Sequence, residues 1–375
     1  MTDEPHQFSG GVLKVDLAAL RANYRMFARM AAPAECGAAV KADAYGFGIQ
    51  QVGPALWSAG CRTYFVALTR EAVELRGILP QAIIYVLNGL APGASQTLLD
   101  FALRPCLCSL EEVDEWVAFC SGRGKRLPAA LHIESGINRF GLTGPDVGAL
   151  ARDPESLAAF DLSLVMSHLA SGDDPDATSN TQQIDRFDAL RSQLPPAPAS
   201  LSNSPGILLG QSFHYDLVRP GIGLYGGRPQ SAGPSPVKPV AHLVSHLAQV
   251  RSVAKGQGVG YAATWMARRD SRIGVIPVGY ADGYRRSLSS DPEIAPAKVW
   301  IGGHFAPVVG RISMDMITVD VTDLPPETAV RGAEVELFGS HVLAHELAAR
   351  AGTISYEVFT GLGSRFARVY SGHES

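Results

Sequence analysis

The chain has 375 residues and a mass of 39.8 kDa, is 46% hydrophobic and 18% charged, and carries a formal net charge of −4. That length predicts two domains, each large enough for its own apolar core. The mild acidity excludes the basic footprint of a nucleic-acid binder, and no apolar run reaches membrane-spanning length.

In chain order, the amino terminus Met1-Thr2-Asp3-Glu4-Pro5-His6 is acidic and polar, unlike a secretory leader. Asp16 is placed to cap a helix bearing Leu17, Leu20, Tyr24 and Phe27 on one face. The small and β-branched run 35–41 reads as a buried strand ending on Lys41, followed by a helix from Ile49 to near Gly60. Further strands are expected at 64–68, 82–87, 101–108, 129–134, 160–167, 199–203 and 215–218. Between them, Thr69 is expected to cap a helix over 71–76, and Ser109 with Glu112 forms a capping box for a helix running to Cys120. Eight such units suggest a TIM-type (β/α)8 barrel over residues 1–235, although periodicity does not separate it from an open doubly wound sheet. After the Pro-rich link 228–239 the rhythm changes. Apolar runs at 242–253, 272–278, 298–301, 307–309, 317–321 and 334–338, with one helical stretch at 341–351, predict a mostly antiparallel β domain over 236–375.

Five cysteines are an odd number, and Cys36, Cys61 and Cys120 sit in apolar surroundings. Cys106 and Cys108 share a strand face, but no second pair completes a zinc site. Reduced thiols in a cytoplasmic protein are the expectation. Gly221-Ile222-Gly223-Leu224-Tyr225-Gly226 fits GxGxxG, yet it runs into Gly227-Arg228-Pro229 and opens no helix, which rejects a dinucleotide site.

In a parallel α/β barrel the loops after the strands build the active site. Lys41 and Tyr45, Arg139, His168, Asn203-Ser204, and Arg219 with Gly221-Ile222 all fall at such strand ends. A desolvated lysine there loses its proton easily and can form a Schiff base. Each has a plainer reading: Lys41 can snorkel to solvent, His168 can be a satisfied buried histidine, Asn203-Ser204-Pro205 can be a turn, and Arg219 can pair with a carboxylate.

Val40-Lys41-Ala42-Asp43-Ala44-Tyr45-Gly46 resembles the pyridoxal-phosphate lysine segment of alanine racemases, with Phe47 where that segment usually has His. The likeness continues in order from Val15 to Tyr370. It includes Met166-Ser167-His168-Leu169-Ala170, Ser202-Asn203-Ser204, Arg219-Pro220-Gly221-Ile222-Gly223, Val259-Gly260-Tyr261, Gly310-Arg311-Ile312-Ser313-Met314-Asp315 and Ile354-Ser355-Tyr356-Glu357-Val358. The resemblance implies a pyridoxal 5′-phosphate enzyme that interconverts L- and D-alanine and supplies D-alanine for peptidoglycan. Lys41 would form the Schiff base. Asn203, Ser204, the amides of Gly221 and Ile222, Tyr45 and Tyr356 would bind the cofactor, chiefly at its phosphate. His168 would lie against the pyridine ring, and Arg139 would reach the phenolic oxygen and the substrate carboxylate. Arg219 would donate to the pyridine nitrogen; a guanidinium keeps its proton, so that nitrogen stays neutral and favours quick reprotonation of Cα. Lys41 and Tyr261 would exchange protons on opposite faces, with Tyr261 and Met314 entering from the partner of a homodimer. A broader amino-acid racemase accepting serine and a non-catalytic cofactor carrier are the alternatives; the carrier resembles the barrel alone.

Some positions depart from the family pattern. His132 stands where many members have a carbamylated lysine that holds the arginine matched by Arg139, so a His132 hydrogen bond or a bound anion is expected to replace it. Ser200 stands where His is frequent, and Ser313 where Cys is common.

Overall fold

Gly37 divides the first strand of the α/β portion into Glu35–Cys36 and Ala38–Ala39. A Cβ there would sit 2.9 Å from the Thr63 carbonyl oxygen, so the neighbouring strand comes close only because none is present. The protein is described here from a computed structural model covering residues 9–290, 293 and 295–373. Starting from Ala38–Ala39, seven parallel strands lie side by side in chain order: Thr63–Val66, Ile83–Val86, Arg104–Leu107, Pro128–His132, Asp161–Met166 and Ala199–Ser200 follow. Helices including Ile49–Ser58, Thr69–Ile78, Leu110–Ser121 and Thr178–Arg191 connect them.

Leu217–Val218 is the eighth strand. On one edge it pairs parallel with Glu35–Cys36, and the Gly37 and Ala39 N–H groups donate to Val218 O and Pro220 O, both at 2.9 Å. On the other edge the Asp216 N–H donates to Ala199 O (3.0 Å) and the Arg219 N–H to Ser202 O (2.9 Å). The sheet therefore closes on itself, and the barrel reading holds over the open doubly wound sheet. Thr63–Val66 is buried at every residue, as a barrel strand covered by helices must be.

Local signals act partly as the sequence suggests. Asp16 Oδ1 accepts the Ala18 and Ala19 N–H groups at 2.8 and 3.0 Å, and Ser109 Oγ accepts the Glu112 N–H at 3.3 Å. Thr69, by contrast, is the first residue of its helix, and the Glu71 carboxylate takes the N–H groups of Ala67 and Leu68.

Leu20–Lys238 forms one unit, and residues up to Ala19 join those from Pro239 onward in the other. In this second unit Val12–Asp16 pairs antiparallel with Ala241–His246 and parallel with Ala367–Ser371, inside a six-stranded sheet completed by Glu334–Phe338, Lys298–Ile301 and His304–Pro307. A three-stranded antiparallel sheet, Gln249–Val253, Ser271–Ile276 and Ile317–Asp320, lies beside it in the chain order. The expected strand over 242–253 is thus two strands belonging to different sheets. The boundary read near 235 leaves Val12–Asp16 with the barrel, whereas its partners lie more than two hundred positions away, beyond the reach of local periodicity.

Two glycines separate close packing from open space. Gly37→Val should lower stability by about 1–3 kcal/mol through overpacking at the closing seam. Gly77→Ala, exposed in a helix with nothing within 4 Å of the new Cβ, should raise it by about 0.5–1 kcal/mol. Urea midpoints at unchanged slope are the check.

Candidate active site at the carboxyl mouth of the barrel

Lys41 opens a five-residue turn rather than ending a strand. Ala42, Asp43, Ala44 and Tyr45 all have φ between 52° and 57°, one left-handed helical turn built from L-residues other than glycine. Such residues are costly in this region, by roughly 1–2 kcal/mol each, so neighbouring contacts must impose it. Several do. Glu71 Oε1 accepts the Ala42 N–H at 2.8 Å, and Asp43 Oδ1 accepts the Ile49 N–H at 2.7 Å. The Tyr45 ring stacks on Tyr225 with centroids 4.5 Å apart, and Tyr225 Oη donates to Ala39 O at 3.0 Å. The turn ends at Gly46, itself at φ 83°. The Lys41 amine is half-buried, and burial first, then the Arg139 and Arg219 charges, hold its pKa below the ordinary lysine range.

Arg219 is only 5% exposed. Its Nη1 donates to Ser200 Oγ, which in turn donates to Leu217 O, and its Nη2 donates to Ser167 O at 2.6 Å. Phe65 lies under the guanidinium at 5.7 Å. No carboxylate pairs with Arg219 among the described residues, so the plainer salt-bridge reading fails. Burial lowers its pKa to about 10, which still leaves it cationic at neutral pH.

The two imidazoles of this mouth are neutral. Asn203 Oδ1 accepts the Gly206 N–H at 3.0 Å, which fixes the amide so that Nδ2 donates to His168 Nε2 at 3.4 Å and puts the imidazole proton on Nδ1. Burial, then Arg219 and Arg139, push the His168 pKa well below its usual value. His132 is lowered to about 3 by burial, Arg219 and Arg139. Its Nδ1 faces Cys108 Sγ at 3.8 Å and its buried Nε2 has no protein partner among the described residues. The expected His132–Arg139 hydrogen bond is therefore not formed. Arg139 is exposed, beside Asn138 at φ 53°, with no hydrogen bond or ion pair among the described residues.

Ser204 Oγ accepts the N–H groups of Gly221 (2.8 Å) and Gly223 (3.1 Å), while Ile222 is buried between them. A Cβ at Gly221 would overlap Tyr45 Oη. Hydroxyls and backbone amides thus converge where a side chain cannot go, a cradle suited to an anion. The segment Gly221–Gly226 is a turn and not a helix start, in line with rejecting the dinucleotide motif.

Lys41, Tyr45, Arg139, His168, Asn203, Ser204, Arg219, Gly221 and Ile222 all belong to the barrel unit; Tyr261, Met314 and Tyr356 belong to the other. Tyr261 is 70% exposed, following Gly260 at φ 74°, and Met314 is 53% exposed, its carbonyl accepting the Ala281 N–H at 3.0 Å. Tyr356 is half-buried on Ser355–Thr360. No local signal marks Gln183, Ser135, Tyr225 or Glu71 as site residues, because their contacts depend on segments distant in the sequence.

Family models described as "Alanine racemase, N-terminal domain" and "Alanine racemase, C-terminal domain" match residues 15–229 and 240–370. An alanine racemase of Methylobacterium sp. (strain 4-46) is 48% identical over 368 residues, 98% of each chain. One from Brucella ovis is 43% identical over 382 aligned positions, 98% of this chain and 95% of the relative. Among solved structures, the Bartonella henselae alanine racemase with covalently bound pyridoxal phosphate superposes with a TM-score of 0.92 at 39% identity, covering 96% of this chain and 99% of that one. The biosynthetic alanine racemase of Pseudomonas aeruginosa gives 0.89 at 34% identity, with 96% and 99% covered.

His132 should stay neutral as pH falls to 5, so its C2–H resonance should not titrate between pH 8 and 5, and the His168 resonance should titrate only below the ordinary histidine range. The unfolded chain does take up those protons below about 6.5, so stability should fall as pH drops from there toward the folded value. A His132 resonance with a midpoint above 5 would overturn the burial argument.

Proposed function

This chain belongs to the alanine racemase family, and we propose that it interconverts L- and D-alanine with pyridoxal 5′-phosphate, Lys41 and Tyr261 exchanging the Cα proton from opposite faces. The observation that carries the reading is the joint placement of an amine held below its ordinary pKa and a buried guanidinium without a carboxylate partner among the described residues at one barrel mouth.

The residues present fit the cofactor. The cradle of Ser204 Oγ and the amides at Gly221 and Ile222, closed by Tyr45, takes a phosphate without any charge change of its own. Asn203 orients neutral His168, whose flat face suits an aromatic ring. Arg219 presents a permanent donor toward that ring rather than an acid that gives its proton away. When bound, the cofactor supplies the carbonyl and the electron-withdrawing ring that make a substrate Cα–H acidic. Lys41, deprotonated more readily than an exposed lysine, takes or returns the proton on its face. Tyr261 serves the other face, and Arg139 holds the substrate carboxylate.

Homodimerisation with shared sites is part of the proposal. Tyr261, Met314, Met316 and Ile354 are each more than half exposed in the second unit, apolar side chains that a partner subunit would cover. The product, D-alanine, serves peptidoglycan synthesis. Five free, buried cysteines suit a reducing cytoplasm, and among the described residues no helix is long and apolar enough to cross a membrane.

Incubating L-alanine in D₂O with the cofactor-loaded protein should give Cα exchange by proton NMR and D-alanine by chiral chromatography, approaching a one-to-one mixture. Cofactor binding with neither signal would refute the assignment. Lys41→Ala and Tyr261→Phe should each lose racemisation by about 10²–10⁴-fold or more, with Tyr261→Phe still exchanging the Cα proton of one enantiomer. Coexpressing the two variants should restore roughly a quarter of wild-type activity, because half the dimers are hybrids with one intact site. No restoration would show that the sites are not shared.

A further inference from the structure

Gln183 sits on Thr178–Arg191, only 2% exposed, away from every motif discussed above. Its amide is fully used. Nε2 donates to His168 O at 2.9 Å and to Ser135 Oγ at 3.2 Å, while Oε1 accepts the Ala170 N–H at 2.8 Å. Ser135 Oγ also lies 2.7 Å from Ser167 Oγ, and the Ser167 carbonyl is the one that accepts from Arg219. Ser135 and Ser167 are both buried. Gly136, at φ 148°, brings the backbone against the Gln183 side chain, where a Cβ would stand 3.0 Å from Cγ. The Glu134 carboxylate then shapes the rest of that loop by accepting the Gly136 and Asn138 N–H groups.

One helix side chain therefore ties together the loop that leads to Arg139 and the loop that carries His168. We propose that Gln183 is a positioning residue for racemisation: by fixing the 134–138 loop against the 167–170 loop, it sets where Arg139 meets the substrate carboxylate relative to the ring beside His168. The inference rests on the proposed function and on the role given there to Arg139. The need is physical. Arg139 has no hydrogen bond or ion pair of its own among the described residues, so the geometry of its loop is what aims it. Buried polar networks specify one arrangement only when every member is satisfied, as the Gln183 amide is. Misplacing a binding group by about 1 Å costs up to about 10²-fold.

Gln183→Met keeps the length and removes all three hydrogen bonds; Ser135→Ala removes the branch to the Arg139 loop together with the Ser135–Ser167 contact and leaves the Gln183 bonds to the 167–170 loop. Cofactor-loaded Gln183→Met should show a KM for alanine raised about tenfold or more, with kcat within about threefold and the cofactor absorption maximum unchanged. In the cofactor-free protein the Ala170 amide should exchange with D₂O at least about tenfold faster. Ser135→Ala should raise KM with Ala170 exchange at the wild-type rate, and it serves as the test should Gln183→Met not fold. An active wild type with unchanged KM in the folded variants would overturn the proposal. So would parallel loss of kcat, cofactor and thermal stability, the signature of a merely structural glutamine. An inactive wild type would instead refute the proposed function, and this role with it.

Discussion

A guanidinium sealed inside the barrel sets the character of everything around it. Arg219 is buried and bonded to a serine hydroxyl and a backbone carbonyl, without a carboxylate to neutralise it among the described residues. Removing a charge from water costs several kcal/mol even after relaxation, and neutral acceptors recover only part of that. Folding therefore leaves an unspent positive potential at the mouth. It is felt by each neighbouring base: Lys41, His132 and His168 are all held low by burial, with Arg219 among the added causes. The result is a site whose guanidiniums cannot act as bases, while its imidazoles are kept neutral and its lysine gives up its proton more readily than an exposed one.

The left-handed turn after Lys41 is the second constraint. Four successive residues in this conformation cost roughly 4–8 kcal/mol together, a large fraction of the net stability of a domain. The offset is spread over the Glu71 carboxylate from the helix Thr69–Ile78, an aspartate reaching forward to Ile49, and the Tyr45–Tyr225 stack. The same contacts shape the cradle proposed for the phosphate, since Tyr45 packs over Gly221. Strain and binding geometry here share one cause. Relaxing the turn would move Lys41 and Tyr45 together.

What the sequence disclosed follows from range. The eight barrel strands are legible because each is a short apolar run punctuated by glycine or a cap, and the strand-end polar residues follow from that spacing. The resemblance supplied roles that no periodicity carries, Tyr261 and Met314 above all. The left-handed turn is invisible in Ala-Asp-Ala-Tyr, which contains no glycine to signal a run of positive φ. Likewise Val12–Asp16 joins the second unit through partners at 241–246 and 367–371, and Gln183 reads as one more polar residue on a helix. Its importance exists only after two separate loops have been brought within 3.2 Å of it.

The departure at His132 bears on the same electrostatics. A carbamylated lysine would place a negative charge beside Arg139, cancelling part of the field and raising the affinity of Lys41 for its proton. A buried imidazole with a pKa near 3 brings no charge at all. Its neutral ring adds nothing to the opposing pull of Glu71, so burial and the Arg139 and Arg219 charges prevail at Lys41 and the substitution favours a free amine. The cost falls on Arg139, which loses a charged partner and depends on the geometry of its own loop. In this chain the lysine is tuned by burial and by guanidiniums with no carboxylate partner among the described residues, and the arginine by a loop held from behind.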